Sequence, residues 1–180
     1  MNDIPQEQFS DWSPPPAFVG LDSLRVLVVD DEPAIGKLLR MMLNDLGVGE
    51  VALASDGAEA LQFIGEHEGR INTVISDWNM PKMTGIELLR QIRTVDARIQ
   101  FLMITGRPTA EAVMEARSLG ITAFIAKPFE PELIREKLQA VAAGAVVPKP
   151  VPRPRSGPEP AAPVRLEGGQ ALRMLANRWS

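Results

Sequence analysis

Three aspartates stand at the ends of two apolar runs, and their positions predict a cluster of carboxylates. Asp30 and Asp31 follow the apolar run 24–29, and Asp77 follows the run 72–76. If both runs form neighbouring parallel strands, these side chains converge at one edge of a sheet. Like charges brought together raise the pKa of at least one carboxyl group. A fold retains such a cluster when a cation offsets the repulsion, and carboxylate oxygens suit Mg²⁺.

Two further polar side chains end apolar runs later in the chain. Thr105 follows the run 99–104, and Lys127 follows the run 122–126. Lysine supplies a positive charge that pairs with a carboxylate or a phosphoryl oxygen, and threonine supplies a hydroxyl donor. A carboxylate can itself act as a nucleophile. A metal ion, a lysine and a hydroxyl around one carboxylate are the groups that phosphoryl transfer requires.

The elements that would position these residues alternate between strands and amphipathic helices. The predicted strands are 24–29, 50–54, 72–76, 99–104 and 122–126. The predicted helices are 33–46, a segment capped by Asp56, 85–93, 108–119 and 131–142. Continuous apolar strands between helices predict a parallel sheet covered on both faces. We therefore expect an α/β, flavodoxin-like (βα)5 doubly wound fold with strand order 2-1-3-4-5, whose ligands bind where strands 1 and 3 meet.

The first and fourth predicted helices differ in the width of their apolar stripes. The first helix has a broad predicted stripe, formed by Ile35, Leu38, Leu39, Met42 and Leu46. The fourth has a thin one, formed by Val113, Ala116 and Leu119. Small side chains bury little area. We therefore predict that the fourth helix is the least firmly anchored.

The charge distribution divides the chain into an acidic body and a basic tail. Residues 1–147 carry 13 Lys and Arg against 21 Asp and Glu, whereas residues 148–180 carry six against two. An acidic body argues against direct nucleic-acid binding. The absence of cysteine excludes disulfides and thiolate chemistry. With no secretory signal and no apolar run long enough to span a bilayer, we expect a cytoplasmic protein without membrane insertion.

Three segments are expected along the chain. Residues 1–22 form an extended or disordered leader, residues 23–146 the folded domain, and residues 147–180 a mostly disordered Pro/Arg-rich tail. Seven prolines within 148–163 favour a polyproline-type linker. The spacing of apolar residues in 170–179 allows a short terminal helix. Because residues 148–180 are few and rich in proline, we expect no DNA-binding output domain in them.

Four short segments carry these polar residues in a characteristic order. They are 28–33 (VVDDEP), 76–85 (SDWNMPKMTG), 104–106 (ITG) and 126–129 (AKPF). Together they resemble the receiver domain of two-component response regulators, and the second is similar to the segment found in bacterial chemotaxis regulators. The resemblance covers residues 24–143.

The resemblance implies roles for residues at the strand ends. Asp77 would accept a phosphoryl group from a phosphohistidine on a histidine kinase or a histidine phosphotransfer protein. Asp31 and the backbone carbonyl of Asn79 would join Asp77 in holding Mg²⁺, with Mn²⁺ as an alternative, and Asp30 would act through water. Lys127 would bind a phosphoryl oxygen.

The resemblance also implies a conformational switch. Thr105 would move towards the phosphoryl group, Phe124 would turn inward, and the peptide bond before Pro128 would be cis. A downstream protein target would bind at helix 4, strand 5 and helix 5. Because such a domain catalyses only its own phosphorylation and dephosphorylation, we do not expect a turnover enzyme.

Two other functions stay open at this stage. A haloacid-dehalogenase-like phosphatase also uses a strand-end Asp nucleophile with Mg²⁺, Thr and Lys. Those enzymes carry Asp-x-Asp, however, and the second position here is Asn79. A phosphorylation-independent interaction module is the other alternative, and the acidic cluster with Thr105 and Lys127 argues against it.

Overall fold

The computed structural model describes residues 20–106 and 109–144, which fold around one parallel sheet. The strand order is β2-β1-β3-β4-β5, and every neighbouring pair is parallel. The strands are β1 (Arg25–Val29), β2 (Glu50–Ala54), β3 (Thr73–Asp77), β4 (Gln100–Thr105) and β5 (Ala123–Ala126). The helices are α1 (Pro33–Asp45), α2 (Gly57–Glu66), α3 (Gly85–Val95), α4 (Ala110–Ser118) and α5 (Pro131–Ala142). The predicted flavodoxin-like fold is confirmed.

Alternate residues of each strand pack on opposite faces of the sheet, as the pleat requires. Val26 and Val28 belong to a core that contains residues of α1 and α5. Leu27 and Val29 belong to a second core that contains residues of α2, α3 and α4. Both faces of the central strands are therefore buried, which explains why these strands are continuously apolar in the sequence.

The buried face of α1 differs from the predicted stripe. Its buried residues are Gly36, Leu39 and Leu43, which are spaced three and four apart on one side of the helix. Leu38 lies about 100° around the helix from Leu39, and it is 43% exposed. The prediction that Leu38 faces inward is therefore wrong, because the stripe chosen from spacing was wider than the surface that the sheet covers.

Local signals fix where the helices begin. The Asp56 side chain accepts a hydrogen bond from the Glu59 amide and caps α2, as predicted. Thr84 and Glu87 form a reciprocal capping box at the start of α3. These caps place the first turns of α2 and α3 directly beside the carboxyl ends of the strands.

The predicted outer segments fall mainly outside the described residues. Residues 1–19 of the leader and residues 145–180 of the tail are not among them, and neither is the predicted start of the fourth helix at Pro108. A short 3₁₀ helix, Leu21–Ser23, precedes β1, and Leu21 packs against the core beneath α1 and α5. Within residues 20–106 and 109–144, no helix is both long enough and apolar enough to cross a membrane.

Candidate functional site

Four polar residues lie at the carboxyl ends of four strands of the sheet. Asp77 is the last residue of β3 and Thr105 the last of β4. Asp30 follows β1, whose final residue Val29 pairs with the residue preceding Asp77. Lys127 follows β5, and its amide donates to the Thr105 carbonyl at 2.8 Å. The parallel register therefore brings these four residues to the carboxyl ends of neighbouring strands, where the Asp30, Asp77 and Lys127 side chains meet.

A single ammonium group bridges the two buried carboxylates. Lys127 Nζ lies 2.5 Å from Asp77 Oδ1 and 3.8 Å from Asp30 Oδ2. Asp30 is 5% exposed and Asp77 7% exposed, so their charges are poorly solvated. The lysine partly offsets a repulsion that would otherwise oppose folding.

Backbone amides hold the other carboxylate oxygens. The Glu32 amide donates to Asp30 Oδ1 at 2.9 Å, and the Asn79 amide donates to Asp77 Oδ2 at 2.8 Å. Asp30 Oδ2 is buried and finds no hydrogen-bond donor within the described residues. A buried, unsatisfied carboxylate oxygen is costly, and it is the kind of atom that a cation would satisfy.

The electrostatics of the cluster favour a bound cation. Burial raises the pKa of the Asp30 carboxyl above its ordinary value, and the charges of Asp77 and Asp31 reinforce the shift. Hydrogen bonding from Glu32 and the charge of Lys127 oppose it. Burial lowers the pKa of Lys127, but the hydrogen bond and charge of Asp77 outweigh this effect, so that its pKa is raised overall.

Comparison with known proteins identifies the family of this chain. Residues 26–139 match the response regulator receiver domain family. The chain belongs to that family. A receiver domain is a signalling domain of two-component systems and not a classical turnover enzyme. Its family membership gives no support to the phosphatase alternative.

Relatives of this receiver domain align over its folded part. The chemotaxis protein CheY of Pseudomonas aeruginosa is 35% identical over 121 residues, which cover 66% of this chain and 95% of that protein. The structure of the chemotaxis protein CheY4 of Vibrio cholerae has a TM-score of 0.61 at 37% identity, covering 66% of this chain and 98% of that one. A Clostridium thermocellum receiver domain has a TM-score of 0.63 at 27% identity, with coverages of 66% and 94%.

Receiver domains generally bind Mg²⁺, and the donor set here fits a hard cation. Asp30 and Asp77 offer carboxylate oxygens, and one of these, Asp30 Oδ2, has no hydrogen-bond donor among residues 20–106 and 109–144. Asp31 and Asn79 are exposed at the same edge. No three acidic or histidine side chains gather as a metal-binding group within the described part of the receiver domain. A cation at this site would therefore rely on the backbone carbonyl of Asn79 and on water as well as on carboxylates.

The residues predicted to act as a switch lie around this cluster. Thr105 is 2% exposed. Phe124 is half-buried on β5, and its ring lies 6.4 Å from that of Trp78, measured between centroids, at an interplanar angle of 28°. The Lys127–Pro128 peptide bond is cis.

One contact in this receiver domain was not foreseen from the sequence. Lys82, in the loop after β3, lies with its Nζ 3.3 Å from Asp56 Oδ2. The two residues are 26 positions apart, and no spacing rule connects them. The signal that could have drawn attention to Asp56 was its capping position, which places its carboxylate at the same edge of the sheet.

Proposed function

We propose that Asp77 accepts a phosphoryl group from a phosphohistidine on a histidine kinase or a histidine phosphotransfer protein. An Asp77 carboxylate oxygen forms a bond to phosphorus while the N–P bond of the phosphohistidine breaks, and the released imidazole takes a proton from solvent. The observation that carries the proposal is the 2.5 Å contact between Asp77 Oδ1 and Lys127 Nζ, in a cluster where both Asp30 and Asp77 are buried.

The chain's own groups divide the work of this transfer. Lys127 neutralises a phosphoryl oxygen once the group is on Asp77, because its ammonium already lies beside the accepting carboxylate. The Asn79 amide orients the carboxylate through Asp77 Oδ2. The Asp30 and Asp77 carboxylates are buried, which strengthens their interactions with nearby charges. Thr105, at the end of β4, donates a hydrogen bond from its hydroxyl to a phosphoryl oxygen.

Mg²⁺ belongs to this proposal, with Mn²⁺ as the alternative. Asp31, Asp77 and the Asn79 carbonyl would hold the ion, and Asp30 would act through water. When bound, it supplies positive charge that offsets the carboxylates and the incoming phosphoryl oxygens. The unsatisfied oxygen of Asp30 supports the assignment.

The output of the domain is proposed to be a change in protein contact. Thr105 and Phe124 would move together, and the surface formed by α4, β5 and α5 would bind a downstream target. The small buried area of α4, in which Ala116 is the buried residue, supports this helix as a part of the surface that can shift. We place these events in the cytoplasm, a reducing compartment that suits a chain without cysteine.

The proposal is tested by direct phosphorylation. The full chain is incubated with Mg²⁺ and acetyl phosphate, and intact mass is measured. We expect one added phosphoryl group in the wild type, none in Asp77→Asn, and the wild-type result in Asp45→Asn, which alters an exposed carboxylate on α1. Transfer from an autophosphorylated histidine kinase should show the same dependence on Asp77.

Three outcomes would contradict the proposal. A wild-type chain that gains no phosphoryl group under these conditions would favour an interaction module that works without phosphorylation. An adduct of equal yield in Asp77→Asn would place the acceptor elsewhere. Sustained turnover of p-nitrophenyl phosphate, with many product molecules per chain, would favour a phosphatase.

A further inference from the structure

The loop between β3 and α3 folds back over the proposed acceptor. The Asn79 amide donates to Asp77 Oδ2 at 2.8 Å, and the Gly85 amide donates to the Trp78 carbonyl at 2.9 Å. A Cβ added at Gly85 would lie 2.3 Å from the Asp77 carbonyl oxygen. The position of the Asn79 backbone therefore depends on how tightly this loop is closed.

The loop contains a backbone conformation that L residues rarely adopt. Lys82 has φ of 65°, and it is the one non-glycine residue with positive φ in the described ranges. The Met83 amide donates to the Pro81 carbonyl at 2.8 Å across it, which is a γ-turn of the rare, strained kind. Such a conformation persists only where surrounding contacts enforce it, and it is frequent at functional sites.

Two contacts with the start of α2 hold the γ-turn at Lys82 in place. Lys82 Nζ lies 3.3 Å from Asp56 Oδ2, while Asp56 Oδ1 accepts from the Glu59 amide. Met83 is 1% exposed, and it packs so closely on Gly57 that a Cβ there would lie 2.5 Å from Met83 Sδ. An ion pair at the surface and a thioether below it thus tie the loop to α2.

We propose that Asp56 and Lys82 are a positioning pair for the acceptor site. Their ion pair holds the turn at Lys82 closed, and the closed turn keeps the Asn79 backbone against Asp77. The inference rests on the proposed function, because the Asn79 carbonyl is a proposed ligand of the metal ion. A change at the start of α2 would therefore alter the position of the Asn79 backbone beside Asp77.

A positioning role differs in its consequences from a purely structural one. The Lys82 side chain is 63% exposed and that of Asp56 19% exposed, so the ion pair contributes little to global stability. Its loss should loosen the loop without unfolding the domain. Metal affinity and loop protection should therefore change while the melting temperature changes little.

Matched variants separate these roles. Lys82→Gln removes the charge and Lys82→Arg retains it, and both keep a long side chain in the left-handed conformation. Asp56→Asn removes the charge and keeps a good helix cap. Glu50→Gln is the control, since it breaks the exposed Arg70–Glu50 pair of 3.1 Å. Glu50 is the first residue of β2, so this pair lies at the amino ends of the strands, away from the proposed site.

Two measurements are made on the full chain. Mg²⁺ is titrated with Trp78 as the reporter, after Trp12 and Trp179, the other two tryptophans, are replaced by Phe. Hydrogen exchange of the Asn79 amide is followed in the absence of metal. We expect Lys82→Gln and Asp56→Asn each to weaken Mg²⁺ binding roughly three- to fivefold, the upper range for loss of an exposed ion pair, and to speed Asn79 exchange.

The remaining variants complete the expected pattern. Lys82→Arg and Glu50→Gln should stay within about twofold of the wild type in both measurements. The double variant Asp56→Asn/Lys82→Gln should be no weaker than either single one, because both remove the same interaction. Melting temperatures of all variants should lie within about 4 °C of the wild type.

The proposal is overturned if Lys82→Gln and Asp56→Asn leave Asn79 exchange unchanged, or if Glu50→Gln weakens Mg²⁺ binding as much as they do. Additive losses in the double variant would also overturn it. Its failure is distinct from failure of the proposed function. A wild type that binds no Mg²⁺ and gains no phosphoryl group contradicts that function, whereas Asn79 exchange in metal-free protein still decides the role of the pair.

Discussion

Lys127, directly after β5, forms an ion pair with Asp77, the last residue of β3, with Nζ 2.5 Å from Oδ1. The strand that carries Thr105 lies between them in the sheet. The lysine therefore reaches across β4 to meet the carboxylate. This arrangement makes the acceptor sensitive to the position of β5, the strand that also carries Phe124 and borders the proposed output surface.

Replacement of Asp30 by Asn should stabilise the domain near neutral pH. The change keeps an acceptor for the Glu32 amide and replaces a buried negative charge with a neutral amide. We expect a gain of about 1–3 kcal/mol in the free energy of unfolding at pH 7, measured by chemical denaturation. The exposed Asp45→Asn change on α1 should have little effect.

The stabilisation by Asp30→Asn should depend on pH in a defined direction. Burial raises the pKa of Asp30 in the folded state above the ordinary value of 3.8. Below that value both folded and unfolded chains hold the proton, and the variant gains nothing. As pH rises the unfolded chain ionises first, so the gain grows until pH passes the raised folded pKa. A gain that is equal at about pH 3 and pH 7 would contradict this account.

Replacement of Lys127 by Met should destabilise the domain and make its thermal stability depend on Mg²⁺. Asp30 and Asp77 would lose the cation that offsets their charges. Breaking a buried ion pair costs about 3–5 kcal/mol, and the lysine is 27% exposed, so we expect roughly 1–3 kcal/mol.

Thermal unfolding with and without Mg²⁺ tests this expectation. Mg²⁺ should restore part of the stability lost in Lys127→Met, because an ion that binds only the folded state stabilises it. Lys137→Met breaks a pair with the exposed Glu136 and should cost little. If both lysine variants lost the same stability, the buried carboxylates would not be the cause.

Replacement of Gly85 by Ala should disrupt the loop that covers Asp77. The new Cβ would meet the Asp77 carbonyl oxygen at 2.3 Å and Ser76 Oγ at 3.2 Å. We expect a loss of about 1–3 kcal/mol in stability and slower phosphorylation by acetyl phosphate.

Gly36→Ala is the matched control for that substitution. Its Cβ would meet nothing closer than Leu53 Cδ2 at 4.0 Å, and alanine favours a helix interior by roughly 0.5–1 kcal/mol over glycine. The control should therefore be as stable as the wild type or more so. Equal destabilisation by both substitutions would show that close contact with Asp77 is not the reason.

Helix α4 should be the most easily opened helix of the domain. Ala116 is its only buried residue, whereas α3 buries five residues, Gly85, Ile86, Leu88, Leu89 and Ile92. Little buried apolar surface means a low free energy of local opening. Hydrogen exchange read by mass spectrometry should show faster exchange in α4 than in α1 or α3, and protection equal to that of α1 would contradict the prediction.

The arrangement of the strands and the residues at their ends were predictable because both follow local rules. Continuous apolar strands between amphipathic helices left few topologies for a parallel sheet. The register of parallel strands then required Asp30, Asp77, Thr105 and Lys127 to emerge at one edge. A boundary error of one or two residues, as at β3, did not alter this outcome.

The sequence by itself determined the fold class, the Asp56 cap of α2 and the pairing of Asp77 with Lys127, since periodicity and side-chain type act over a few neighbouring residues. Only the tertiary structure decided that Leu38 lies outside the buried face of α1, that Asp30 Oδ2 lacks a donor among the described residues, and that Lys82 pairs with Asp56. These depend on the packing of segments distant in the chain, where a shift of a few tenths of an ångström or a rotation of a helix changes which atoms touch. Such distances are set by the whole core at once.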